Sequence, residues 1–466
     1  MRPLRILQVA TTDAQGGAAL IARSLARCYR ATGSSVWQAV GRKASDDHNV
    51  FPIGWPLPRM LRLATHPRAL RDYWIGREDF EFPGTYALVD GLPEPPDVVH
   101  CHNLHGGYFD LRALAWLSHH VPTVVTLHDA WMLSGHCAHS FGCDRWKSGC
   151  GQCPDLSIDP PIRRDATAHN WRRKQDIYAR SRLYVAAPGR WLLEKVEQSM
   201  LAPAVVESRV IPNGVDLSVF HPSDMCAARA ALGMPPDAEV LLTIPGPRGN
   251  AWRNQTLLSA AIETIAAARS RQDLRVIVLG DGVAALQGVT ANVVEIGYQT
   301  DPAAVARCFQ AADVYLHAAR ADTFPTVILE ALACGTPVVA TAVDGIPEQI
   351  TPAPLDAVRA GKLDRLSRPT GLLTPADDAG AFAASVVALL EQRDARTVLA
   401  RNAARDARER FDVEHQAETY LAWYGTIISD WTLHATRTCG DASARGSGEV
   451  RMAVDGGRAA ARYQRI

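Results

Sequence analysis

The sequence has no surplus of either charge: 49 lysines and arginines stand against 49 aspartates and glutamates. A nucleic-acid binder carries a strong basic excess, so the balance argues against that class. Long hydrophobic runs are absent too, and no window reaches the ~18 uninterrupted apolar residues of a membrane-spanning helix. The opening "MRPLRILQVATTDAQGGAAL" meets Asp13 too early to hold the apolar core of a signal peptide. These absences lead to the expectation of a cytoplasmic protein. No internal repeat of fixed period is visible.

What is present is an ordinary globular composition, 47% hydrophobic and 21% charged. At 466 residues the chain exceeds what one core usually supports, so two domains of roughly 200 residues are expected. The start reads as a βαβ unit: an apolar strand "LRILQVA", a turn through Gly16 and Gly17, a helical pattern closing at Gly33, then "SVWQAVG". "PDVVHCHN" and "PTVVTLHD" are two more short strands that end in histidine. A break with turn signals follows at "SRVIPNGVDLSVFHP", after which strands and helices alternate again. The expected division is a first α/β half over 1–207, a linker over 208–222 and a second α/β half over 223–412. A helix over 413–431 is expected to return to the first half, and 432–466 reads as a disordered tail. Two parallel-sheet halves joined by a hinge form a cleft facing strand ends and helix N-termini, which suits an anionic ligand.

The stretch "ADTFPTVILEALACGTPVVAT" sets Asp322 and Glu330 eight positions apart at the entrance and within the first turns of one helix. Pro325 fits the first helical position, and the amides of Thr326 and Val327 can then face the cleft. Two carboxylates at this spacing can hydrogen-bond separate hydroxyl-bearing parts of one ligand, while the helix end holds a phosphate between them. A nucleotide sugar has this layout.

The stretch resembles the E-x7-E segment of retaining glycosyltransferases of the two-Rossmann, GT-B type, and more closely their family 4. "IPNGVDLSVFHP" resembles that group's linker, "GPRGNAWRNQTLL" its basic phosphate pair, and "VVATAVDGIPEQI" with "TGLLTP" its closing motifs. The resemblance runs from about Arg5 to Trp431. It implies a metal-independent hexosyltransferase of α/β class, with two Rossmann-like domains facing a cleft. Glu330 would bind the donor ribose and Asp322 the donor sugar, with Thr323, Phe324, Thr326 and Val327 around the donor. Arg248 and Arg253 would neutralise the diphosphate leaving group. His128 would stand beside the reacting sugar, and Gly16 and Gly17 would form the glycine loop at the acceptor side. Among the histidines of "VHCHNLHGG", His102 is the candidate for reaching the acceptor. Asp322 replaces the family's usual glutamate and Arg253 its more frequent lysine. The alternative is therefore a catalytically weakened nucleotide-sugar-binding scaffold of a polysaccharide assembly system.

Ten cysteines are many for a cytoplasmic chain, and Cys137, Cys143, Cys150 and Cys153 cluster with spacing C-x5-C-x6-C-x2-C. The last pair has zinc-knuckle spacing, so a structural Zn²⁺ in the loop 136–155 is one expectation and four reduced thiols the other. The loop resembles an insertion in a family branch linked to exopolysaccharide assembly, where acceptors are often lipid-linked sugars. No catalytic cofactor is expected; the partners implied are a nucleotide sugar and a saccharide or polyprenyl-linked acceptor. "PRMLRLATHPRALRDYWIGRE" holds five arginines among apolar and aromatic residues. That mixture suits peripheral contact with the inner face of the cytoplasmic membrane, or simply a solvated helix face.

Overall fold

The computed structural model describes residues 2–443, apart from 15, 56–58, 270–272, 287 and 365. Short apolar runs with β-branched residues form two wholly parallel sheets. The first holds β1 (Arg5–Thr12), β2 (Ser35–Arg42), β3 (Val50–Pro52), β4 (Val98–His102), β5 (Thr123–Thr126), β6 (Leu183–Ala187) and β7 (Val205–Val210), in the order β3-β2-β1-β4-β5-β6-β7. The second holds β8 (Glu239–Thr243), β9 (Leu274–Leu279), β10 (Asn292–Ile296), β11 (Val314–His317), β12 (Val338–Thr341) and β13 (Gly371–Thr374), in the order β10-β9-β8-β11-β12-β13. Both orders reverse direction once, between β1 and β4 and between β8 and β11. Ligands of open parallel sheets bind outside the strand ends at such reversals.

Helices cover the sheets. On the first half these are α1 (Gly17–Ala31), α2 (Arg59–Thr65), α3 (Pro67–Ile75), α4 (Ala113–His120), α5 (Thr167–Tyr178) and α6 (Arg190–Glu197). On the second they are α7 (Met225–Ala231), α8 (Gln255–Ala268), α9 (Pro302–Ala311), α10 (Thr326–Ala333), α11 (Ile346–Gln349), α12 (Leu355–Arg359), α13 (Ala379–Glu391) and α14 (Arg393–Arg410). The last helix, α15 (Val413–Ser443), packs Tyr420, Trp423, Tyr424 and Ile427 against Ile21, Leu25 and Tyr29 of α1 and against the first sheet.

Three boundaries differ from the sequence reading. Ser208–Val210, assigned to the linker, belong to β7, because the edge strand continues up to the Pro-Asn-Gly turn. The backbone of 432–443, assigned to the tail, continues α15 as helix, since no proline interrupts it; 444–466 lie outside the described residues. Pro325 caps α10 rather than occupying its first turn. Where the chain crosses between the halves, Val215 N–H donates to the Phe411 carbonyl at 2.7 Å and Val413 N–H to the Val215 carbonyl at 3.1 Å. A Cβ at Gly214 would lie 2.4 Å from the Val413 Cα, so this double crossing needs glycine there.

Candidate active site

At the carboxyl end of β11 the chain places His317, then Asp322, then the mouth of α10. The loop after β8 lies alongside. Arg320 N–H donates to the Trp252 carbonyl at 2.9 Å, and Arg253 forms a bridge with Ala319. This brings the Arg253 Nη1 within 2.5 Å of the Asp322 Oδ2 and 3.3 Å of the His317 Nε2. Burial pushes the Asp322 carboxyl up in pKa, but the Arg253 guanidinium and His317 outweigh it and hold the acid below its ordinary value. The His317 imidazole is pushed down by burial and by Arg253, which favours its neutral form. An arginine fork has five donors, so the two Nη1 contacts leave the Nε and Nη2 donors for an anion.

Pro325 directs the backbone into α10, and the first amides of that helix, Thr326 and Val327, have no intrahelical acceptor. Glu330 lies in the next turn, half-buried and without a hydrogen-bond partner among the described residues. Burial pushes its carboxyl up to about 7. Thr323 and Phe324 are buried, and Phe324 turns its ring into the core against Phe411. Only their backbones remain for a ligand. Arg248 stands exposed in the loop after β8, which the Gln255 side chain ties down through the carbonyls of Pro245 and Pro247.

On the opposite half, Gly16 caps α1 with φ 89°, and a Cβ added at Gly16 or Gly17 would meet nothing within 4 Å. The N-terminus of α1 is therefore open. His128 follows β5, and its Nε2 lies 3.0 Å from the His102 Nδ1. Burial pushes His128 down to about 4, so the ring is neutral at pH 7. His102 itself is wholly buried on the central strand β4, tilted against the His100 ring and stacked on that of His128. Its side chain is not exposed to an acceptor in this conformation; its contact is with the His128 ring.

The two halves meet directly. The His139 Nε2 lies 2.9 Å from the Asp344 Oδ2, an atom that also accepts the Asp322 N–H at 3.0 Å. His139 and Phe141 lean on Trp252. The Glu348 carboxylate accepts the N–H groups of Arg190 and Trp191, at 2.6 and 2.7 Å, at the start of α6. Among the described residues no hydrogen bond or ion pair joins His128 or the Gly16–Gly17 turn to the Arg253–Asp322 pair.

Two family models match the chain: one described as Glycosyltransferase Family 4 over residues 15–219, and one described as Glycosyl transferases group 1 over 242–392. A putative colanic acid biosynthesis glycosyl transferase, WcaC of Escherichia coli (strain K12), is 27% identical over 370 residues, covering 74% of this chain and 85% of that protein. The chain belongs to glycosyltransferase family 4. The D-inositol 3-phosphate glycosyltransferase of Mycobacterium avium (strain 104) is 34% identical over 237 residues, covering 48% of this chain and 50% of that protein. Among solved structures, Anabaena Alr3699/HepE in complex with UDP and glucose superposes with TM-score 0.62 at 18% identity, covering 91% of this chain and 100% of that one. Sucrose-phosphate synthase from Thermosynechococcus elongatus gives TM-score 0.61 at 19% identity, over 91% and 100% of the respective chains. These likenesses show the GT-B fold.

The cysteine loop of this glycosyltransferase corrects one expectation. Its four thiols are free, and among the described residues no group of three or more His, Cys, Asp or Glu is placed to hold a metal ion. Cys150 and Cys153 instead make local contacts: Cys150 Sγ accepts the Gly135 N–H at 3.3 Å, and Cys153 Sγ lies 3.4 Å from the His136 Nε2. The zinc expectation rests on four cysteines within one loop and on the knuckle spacing of the last pair, and neither fixes where the sulfurs point. The sequence reading also missed His317, Asp344 and Glu348. His317 ends β11 as His102 ends β4, and His128 lies two residues past β5, so a histidine at a strand's carboxyl end is a usable signal. Asp344 and Glu348 act across the cleft, and no local pattern encodes that.

Among the described residues no helix is long and apolar enough to cross a membrane.

Proposed function

We propose that this glycosyltransferase moves a hexosyl group, with retention and without a metal, from a nucleotide-diphosphate sugar to a lipid-linked saccharide in exopolysaccharide assembly. The observation that carries the reading is the Arg253 fork pinned by Asp322 at the open mouth of α10, one turn before an unpartnered Glu330. Breaking the sugar–phosphate bond builds negative charge on the departing diphosphate. Fixed positive charge aimed at it is the largest catalytic help available. Arg253, Arg248 and the α10 amides supply it, Glu330 takes the ribose hydroxyls, and the second Asp322 oxygen takes a hydroxyl of the sugar. His128, neutral and backed by His102, stands beside the reacting sugar. The UDP-glucose complex solved for HepE and the colanic acid assignment of WcaC support the donor class and the pathway class.

Domain bounds follow the same reading, with an acceptor half through β7 and a donor half from α7 to α14. Peripheral membrane contact is proposed through α2 and α3, where Leu61, Leu70 and Trp74 are exposed beside Arg68 and Arg71. Flotation with anionic liposomes tests that contact, and equal recovery after replacing these arginines ends it. The activity itself is tested with UDP-, GDP- and ADP-sugars, following released nucleotide and the anomeric configuration of the product. Turnover that disappears in Glu330→Ala supports the enzyme. Tight donor binding with no release under any acceptor favours the scaffold alternative.

A further inference from the structure

Strand β11 ends with a tyrosine and a histidine two residues apart, Tyr315 and His317, so both side chains leave the same face of the sheet. Both are buried. The Tyr315 ring packs edge-on against Phe309, and its hydroxyl lies 3.0 Å from the His317 Nδ1. The other ring nitrogen, Nε2, lies 3.3 Å from the Arg253 Nη1. A guanidinium only donates hydrogen bonds, so His317 accepts there through the Nε2 lone pair. The ring proton is then on Nδ1, which donates it to the Tyr315 oxygen. Burial, reinforced by the Arg253 charge, pushes the imidazole down in pKa and keeps it neutral, as an acceptor must be. The other tautomer would aim an Nε2 proton at the Asp322 Oδ2 across 3.6 Å, with the Arg253 N–H groups opposing it at 3.3 Å. That span is too long for a hydrogen bond.

The consequence falls on Arg253. Its Nη1 donates to the Asp322 Oδ2 at 2.5 Å and to the His317 Nε2 at 3.3 Å, so both Nη1 hydrogens are taken. One acceptor would leave the guanidinium free to turn about that contact; two on one nitrogen fix its plane. The edge left over, Nε with Nη2, is a fork that can hold two phosphate oxygens side by side. We infer that the Tyr315–His317 pair positions Arg253, turning this edge onto the diphosphate of the donor and so selecting a diphosphate over a monophosphate. The inference rests on the proposed function for the identity of the anion. It adds two positioning residues: His317 acts through Arg253, and Tyr315 acts by holding the His317 tautomer.

Calorimetry on the full chain tests this, with UDP, GDP and ADP set against UMP, GMP and AMP. The parent should bind one diphosphate about tenfold more tightly than its monophosphate, as an added bidentate contact requires. His317→Phe keeps a ring but no acceptor. It should lose roughly tenfold in diphosphate affinity, with monophosphate affinity held within about twofold. His317→Gln, whose Oε1 can replace the Nε2 lone pair, should recover the preference. Tyr315→Phe, which frees the ring to change tautomer, should lower it about threefold. A mere folding defect would weaken both nucleotides alike. In long-range ¹H–¹⁵N spectra of the histidine-labelled chain, the signal that vanishes in His317→Gln should belong to a neutral ring protonated on Nδ1. A ring protonated on Nε2, a parent indifferent to the second phosphate, or a His317→Phe variant that keeps the preference overturns the inference. A parent that shows the preference, and loses it in His317→Phe, yet transfers sugar from no donor sinks the transferase reading and leaves the inference standing.

Discussion

Glu330 shows how one half-buried acid reports its own function. Its carboxyl is pushed up to about 7 by burial, from an ordinary value near 4.5. Between those values the folded chain binds more protons than the unfolded one, so this residue makes stability fall as pH rises through the window. Glu330→Gln removes the titration. The variant should melt above the parent at pH 8 and close to it at pH 5, which thermal unfolding at both values measures; equal melting differences refute the burial argument. A ribose-binding role predicts a cost in the opposite direction. Charge-assisted hydrogen bonds are worth about 1.5–3 kcal/mol each, so Glu330→Ala should weaken donor binding on the order of a hundredfold at pH 8. Arg253 and Asp322 form a second test, because each orients the other. Arg253→Lys keeps the charge but loses the planar fork. We expect kcat to fall at least tenfold with stability nearly unchanged; unaltered kcat in this variant means that the fork geometry is irrelevant.

Among the elements, α6 and α11 hold the cleft together. The Glu348 carboxylate sits on the first amides of α6, where the helix dipole favours an anion, and Gly189 leaves the room it needs. Such a contact is worth up to about 2 kcal/mol. Glu348→Ala should therefore shift the balance of open and closed halves by roughly tenfold, raising the donor KM and enlarging the radius of gyration in small-angle scattering. Neither quantity moving would show that Glu348 does not hold the cleft closed. This contact also marks the limit of reading the chain as text. The parallel-sheet halves were legible because buried strands such as "VVHCH" and "VVAT" are continuous apolar runs between turn signals. Asp322, Glu330 and Arg253 were legible because their spacing belongs to one local segment each. The Arg253–Asp322 pair, the His102–His128 contact and the Glu348 cap join segments far apart in the chain; strand neighbours within one sheet, β8 with β11 and β4 with β5, make the first two, and the meeting of the two halves makes the third. The cysteine loop misled for the converse reason, since spacing alone cannot state where four sulfurs point.

For the molecule as a whole, the decisive feature is that the chain finishes the first half with its last described helix. Tyr420 Oη lies 2.7 Å from the Thr126 Oγ1, and Tyr424 Oη lies 2.6 Å from the His100 Nδ1 and 3.1 Å from the Tyr29 Oη. All three tyrosines are fully buried, and His100 is wholly buried too, pushed down to about 3 and therefore neutral at pH 7. A buried polar chain of this kind stabilises only while every member has its partner. Tyr424→Phe keeps the ring but strips the hydroxyl, leaving the His100 Nδ1 and Tyr29 hydroxyl without it. The expected loss is about 1–3 kcal/mol, read as a lower denaturant midpoint with unchanged m-value. Truncation after Asp412 removes far more: Trp423, Tyr424 and Ile427 leave the core, and Ile6, Val98 and Val124 lose their cover. The first half should then fail to accumulate as soluble protein, although its own sheet is complete. Because α15 leads to β4 through His100, and β4 leads to His128 through His102, Tyr424→Phe should also lower kcat while leaving the donor KM unchanged. A variant that is destabilised but fully active would show that the helix supports the fold without positioning His128.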